Sequence, residues 1–210
     1  MITKLFIITL LFCVVNVAGK SQGIQLGFDI TPSFQFQLKR NDVTKIRSSV
    51  SGNGFSTGLN VRKHIKDYTT INSGLKLEYI AFNQKSGSFI VSGYRILGVH
   101  LPLIITQNIG LSENWFYSAG GGLNYNFSNR NFLLGQWVSI NGIVNRVQPN
   151  LALGLNYSPG SGSNFEIEAL VRYALIDNYI SEQQMLSQSN THLASFDFSI
   201  KYFVNSSNEN

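Results

Sequence analysis

WFYSAGGGLNYNF, residues Trp115 to Phe127, has two faces. One parity reads Trp115, Tyr117, Ala119, Gly121, Leu123, Tyr125, Phe127; the other reads Phe116, Ser118, Gly120, Gly122, Asn124, Asn126. A period of two specifies a β-strand. At about 3.3 Å per residue the stretch reaches roughly 40 Å, enough to cross a bilayer when tilted. Rings at both ends of an otherwise small or aliphatic face are expected where a strand turns that face to lipid and its ends lie at the two interfaces. The stretch therefore predicts one stave of an outer-membrane β-barrel.

The flanking sequence repeats the pattern. Before it, Leu97, Val99, Leu101, Leu103 and Ile105 alternate with Gly98, His100, Pro102 and Ile104. After it, Val147, Leu151, Leu153, Leu155 and Tyr157 alternate with Asn150, Ala152, Gly154 and Asn156. Similar alternation marks strands around 24–30, 55–64, 71–79, 165–173 and 196–202, with Pro32 expected near the far end of the first strand, at a bulge or a loss of pairing. The connections at about 39–53, 83–92, 128–146 and 175–191 read as long or medium. Those near Lys66-Asp67, near Gly110 and at Ser158-Pro159-Gly160-Ser161-Gly162 read as short. Eight strands with long loops on one side and short turns on the other predict an all-β, eight-stranded antiparallel up-and-down transmembrane barrel, with both termini periplasmic.

The chain divides into three parts. Residues 1–19 read as a secretory signal peptide: a charge at Lys4, an apolar core Leu5 to Val15, and small residues Val17-Ala18-Gly19. Residues 20–204 form the barrel domain, and 205–210 a polar tail. Cys13 is the sole cysteine, so the mature chain has no disulfide and no thiolate for catalysis or metal binding. The net charge of +5 falls to +4 when Lys4 leaves, too little and too dispersed for nucleic acid.

A soluble lipocalin-like barrel alternates too, with its apolar face inward. Two features point to lipid outside. Rings gather at the ends of the apolar face: Tyr79, Trp115, Tyr117, Tyr125, Phe127, Tyr157, Phe165, Tyr173 and Tyr202. The polar face is rich in Gly, Ser and Asn, and charged residues are only 13% of the chain, where a water-facing surface carries many more. An eight-stranded barrel has an interior just wide enough for side chains, so a filled lumen is expected.

LGVHLPLIITQ followed by WFYSAGGGLNYNF resembles the PorT-type outer-membrane barrel family of Bacteroidota-like Gram-negative bacteria. Leu101-Pro102-Leu103 takes the place of that family's proline-bearing aliphatic element, and Ala119-Gly120-Gly121 that of its small-Gly core. FDFSIKYF resembles the closing aromatic strand, which in such barrels implies recognition by the assembly machinery, although seven residues follow Phe203 here. The family name also implies secretion work, while most of its members share only the barrel.

The expected lumen network is Arg62, Lys76, Glu78, His100, Glu166, Glu168, Arg172, Asp197 and Lys201, with His64 also on the inner face. Four bases and four acids make it neutral without the histidines, and pairing offsets the cost of burying them. Glu166 with Lys201 and Asp197 with Arg172 are the candidate pairs. His100 is read as an interior histidine; as a catalytic base it would need a nucleophile and an acid, and no such set emerges from spacing. No metal or cofactor is expected. Lys39, Arg40, Lys45 and Arg47 form a basic loop that could contact lipopolysaccharide phosphates, and Phe132-Leu133-Leu134 with Trp137 make a loop more apolar than a free one. The expected role is non-enzymatic, structural or interactive through the outer loops. The alternatives are a transport or secretion accessory and an outer-membrane lipid-modifying enzyme.

Overall fold

The computed structural model describes residues 24–41, 47–66, 69–86, 89–110, 112–133, 135–141, 144–160, 163–177 and 189–204. The expected leader 1–19 and the expected tail 205–210 lie outside them. The strands are β1 (Ile24–Asn41), β2 (Arg47–Lys66), β3 (Thr69–Ser86), β4 (Phe89–Asn108), β5 (Trp115–Leu133), β6 (Gln136–Ser139), β7 (Val147–Tyr157), β8 (Phe165–Ala174) and β9 (Ser189–Val204). All pair antiparallel in the order β4-β3-β2-β1-β9-β8-β7-β5, and a β4–β5 pairing closes the ring. Eight strands thus form an antiparallel transmembrane-type barrel. Closure leaves no free edge around the ring, as lipid requires.

Ile24 and Val204 lie at the same end, called lower here. The upper end carries the tips of β1–β2, β3–β4, β5–β6 and β8–β9. The ninth strand, β6, is a hairpin arm on the upper part of β5, on the side that β7 occupies lower down. Gly135, with φ of +83°, makes the tight reversal between them.

The upper strands run further than alternation predicted. The first two connections shrink to 42–46 and 87–88, and β5 continues to Leu133. The reason is physical. Stretches such as Ser48-Ser49-Val50-Ser51-Gly52-Asn53 are polar on both faces, so they carry no period-two hydropathy although their backbone stays in the ladder. Pro32 lies in mid-strand, not near the far end. It keeps its place against Phe55 of β2, while the β1–β9 register lapses at 31–32, because proline has no N–H to donate.

Side chains alternate as the sequence demands. In β7, Leu151, Leu153 and Leu155 are exposed outward, while Gln148, Asn150, Ala152 and Asn156 are buried inward. Large hydrophobic side chains cover the outer wall on every long strand, among them Phe34, Leu59, Leu103, Leu153 at 65% exposure and Val171. The buried residues are mostly polar. This is a soluble protein turned inside out.

Candidate functional site: a charge-paired lumen with two apolar seals

The lumen is built from the inward parity of all eight wall strands, so each charged side chain is fixed by its register. Lowest is Arg62 of β2, in close ion contact with Glu166 of β8, which also accepts from Asn156 Nδ2 at 3.0 Å. Next, Lys201 of β9 meets Glu168 at 2.7 Å, and the Ser118 hydroxyl donates to Glu168 at 3.2 Å. Lys76 of β3 contacts Asp29 of β1. Further up, Arg172 of β8 bridges Glu78 of β3 and Asp197 of β9. Asn124 donates to the other Glu78 oxygen at 2.8 Å, and Asn150 donates to Asn124 at 3.1 Å. Every one of these ions is buried.

The expected Asp197–Arg172 pair is present. Glu166 and Lys201 are cross-strand partners by Cα, yet Lys201 bonds Glu168 and Glu166 takes Arg62. A lysine reaching along its neighbour strand satisfies two carboxylates only if the arginine from across the lumen takes the other. Asp29 completes the network and was missing from the expectation. The alternation of β1 through Gly27, Asp29, Thr31 and Ser33 carried that signal. Four bases, Arg62, Lys76, Arg172 and Lys201, therefore face five acids, Asp29, Glu78, Glu166, Glu168 and Asp197.

His100 is buried next to its β3 partner Lys76, and Gly122 leaves room for its ring: a Cβ there would sit 2.5 Å from His100 Cε1. Its Nδ1 makes no hydrogen bond among the described residues. Two hydroxyls lining the same cavity are engaged elsewhere, Ser73 to the Pro102 carbonyl at 2.9 Å and Ser199 with Thr31 at 2.8 Å. His64 keeps the inward parity of Arg62, opposite buried Thr70, but is exposed at the lower mouth of the barrel. His192 stacks on Tyr173 and contacts Asp177 at 3.3 Å near the upper end. Among the described residues no group of three His, Cys, Asp or Glu could hold a metal ion.

Two apolar seals bound the network. At the bottom Phe203 is fully buried, with the Arg62 guanidinium 3.5 Å from its ring centroid. Gly27 leaves space for that ring, since a Cβ there would come 2.8 Å from Phe203 Cδ1. At the top Ile80, Phe82, Tyr94, Ile96, Ala174 and Leu193 close around Ile140 and Val144, which the chain after β6 drops into the mouth. Asn129 fixes that return: Ile140 N donates to its carbonyl at 2.9 Å, and Tyr94 Oη to its side chain at 3.1 Å. The apolar fifth connection thus both extends the wall, as β6, and plugs the mouth. Two lumen cavities among the described residues each have room for about one or two water molecules.

The predicted ring residues stand outward in two rims. Trp115, Tyr117, Tyr157, Phe165 and Tyr202 lie low; Tyr79, Tyr125, Phe127 and Tyr173 lie high. Trp115 packs on Tyr157 at 5.0 Å between centroids, and Tyr117 Oη donates to Gln107 at 2.7 Å. Of the basic loop, Lys45 lies outside the described residues. Lys39, Arg40 and Arg47 sit at the upper tips of β1 and β2, where Arg40 and Arg47 are partners in register.

No family profile matches the sequence, and no curated protein matches it. Solved structures do. Neisserial surface protein A aligns at a TM-score of 0.52 with 12% identity, over 83% of this chain and 96% of that one. Ail, the attachment invasion locus protein of Yersinia pestis, aligns at 0.43 with 15% identity, over 85% and 98%. The outer membrane protease OmpT of Escherichia coli aligns at 0.34 with 7% identity, over 89% and 100%. At such identities the likeness is one of fold: this chain has the eight-stranded barrel architecture of the neisserial protein.

Proposed function

We propose that the chain is a non-enzymatic outer-membrane β-barrel protein, periplasmic at both termini, which works through its outer end while its lumen stays closed. One observation carries the reading: the wall is apolar outward between two rims of rings, and its charges are paired inward. Lipid is the solvent that stabilises such a surface. The nine ring residues then lie at the two interfaces, and the ion pairs hold the lumen as a plug.

A transport or secretion role fits less well, because Phe203 below and Ile140 with Val144 above fill the two ends of the lumen. Lipid modification fits less well too, because His100 is buried in the lumen, away from the outward face. Membership of the PorT-type family is part of the proposal. Of the residues behind it, Leu103 faces Gly121 across the β4–β5 ladder, while Gly120 and Ala119 face Ile104 and Ile105. The basic stretch with Lys39, Arg40, Lys45 and Arg47 is proposed to meet lipopolysaccharide phosphates, and the barrel-assembly machinery to act during biogenesis.

Membrane fractionation with a heat-modifiable gel shift tests the reading. Recovery in the outer-membrane fraction, migrating faster unboiled than boiled, is expected. Recovery as a soluble periplasmic protein overturns it. A planar-bilayer recording with steady ion conductance would reject the closed lumen alone.

A further inference from the structure

Above the upper ring rim, the outward face of β4, β5 and β6 carries a built cluster that the lumen does not explain. Arg95 of β4 and Arg130 of β5 are direct cross-strand partners. Both follow the outward parity, and a bulge in the β4–β5 ladder at Leu97/Gly98 sets that parity. Like charges placed opposite each other on a sheet repel. No carboxylate offsets them among the described residues. Asp29, Glu78, Glu166, Glu168 and Asp197 are in the lumen, Glu113 is in the lower turn before β5, and Asp177 is beside His192 across the barrel.

The pair is held in place. The Arg95 guanidinium lies over the Trp137 ring, 3.9 Å from its centroid, and Trp137 leans on Phe132 at 5.3 Å. Gly93 makes room for the indole, since a Cβ there would come 2.6 Å from Trp137 Cη2. Arg95 Nε is buried and has no hydrogen-bond partner among the described residues. Stacking fixes the plane of the fork, and a planar guanidinium so held is suited to a tetrahedral oxyanion. Height matters as well. From Gln107 at the lower rim to Arg95 is about 40 Å along the strand at ~3.4 Å per residue, roughly 30 Å along the normal at a tilt of ~40°. Arg95 and Arg130 stand one outward position above Leu97 and Ser128, at the level of lipid headgroups.

We propose that Arg95 and Arg130 together bind the phosphate of an anionic lipid headgroup in the outer leaflet, with Trp137 as the platform that orients Arg95. This site lies apart from the β1–β2 tip. It rests on the membrane reading for its height but on its own residues for its chemistry.

Native mass spectrometry of the membrane-extracted protein tests it. The protein is released from micelles containing phosphorylated lipid A or the same lipid A after phosphatase treatment. The wild type should retain the phosphorylated form at least tenfold better. Arg95→Gln/Arg130→Gln should lose that preference, and Lys63→Gln, an exposed base at the lower end, should keep it. Arg130→Gln alone, an exposed change, should weaken retention severalfold while the heat-modifiable gel shift stays normal. Equal retention of both lipid forms by the wild type, or an unchanged preference in a folded double variant, overturns the proposal. Either result would leave the membrane reading standing, because fractionation decides that separately.

Discussion

The Arg62 guanidinium stacks 3.5 Å from the centroid of the Phe203 ring, and this contact fills the lumen at the end where Ile24 and Val204 lie. FDFSIKYF therefore ends in two different rings. Tyr202 turns outward to the lower rim beside Phe28, at 6.0 Å between centroids, while Phe203 turns in. Phe203→Ala should lower stability by about 3 kcal/mol, from the lost transfer energy and the cavity left behind. Tyr202→Ala, half in lipid, should cost less. Urea midpoints of the refolded protein in micelles check the order, and equal losses would remove the bottom seal from the account.

Arg172 answers two carboxylates from opposite parts of the wall, Glu78 on β3 and Asp197 on β9. Removing it strands two buried charges. Arg172→Met should therefore cost about 3–5 kcal/mol. A triple change, Arg172→Met with Glu78→Gln and Asp197→Asn, takes away the charges with the arginine and should restore most of that loss. If the triple variant is no more stable than the single one, the stranded charges are not the cause.

The upper seal is made by residues distant in sequence. Val144 and Ile140 fill a socket formed by β3, β4, β8 and β9. Ile140→Ala should cost about 2–4 kcal/mol if the plug is packed as a core. The same substitution at Ile109, exposed in the lower turn, should be almost silent. Thermal unfolding of the two variants side by side distinguishes a docked plug from a loose loop.

The barrel was legible because lipid and lumen enforce opposite polarities on alternate residues, and Trp115 to Phe127 carries both. The lumen network was legible by the same parity, including Asp29, which alternation through β1 would have added. Partner choice was not. Lys201 can reach either Glu166 or Glu168, and Arg62, arriving from across the lumen, decides between them. The strand tips were hidden for a different reason: above the membrane neither face needs to be apolar, so Ser48 to Asn53 reads as loop while it pairs as strand. The Arg95–Arg130 pairing depends on a one-residue bulge, and a bulge leaves no mark in hydropathy.

The outward apolar face makes a depth-dependent prediction. Leu151 of β7, 55% exposed, pairs with Gly121, midway between the lower contact of Tyr157 with Trp115 and the upper pair Val147 with Tyr125. In lipid, Leu151→Arg should cost about 2–4 kcal/mol, whereas Val147→Arg, near the upper interface, should cost only about 0–1. Water would treat the two substitutions alike, since both side chains are exposed and neither touches the lumen. Refolding each variant into lipid vesicles and titrating with urea reads the difference directly. A gradient that peaks at Leu151 places the bilayer midplane on the middle glycine of the GGG run. Equal and small effects at both positions would mean that this face does not meet hydrocarbon, and that the apolar band covers a protein partner instead.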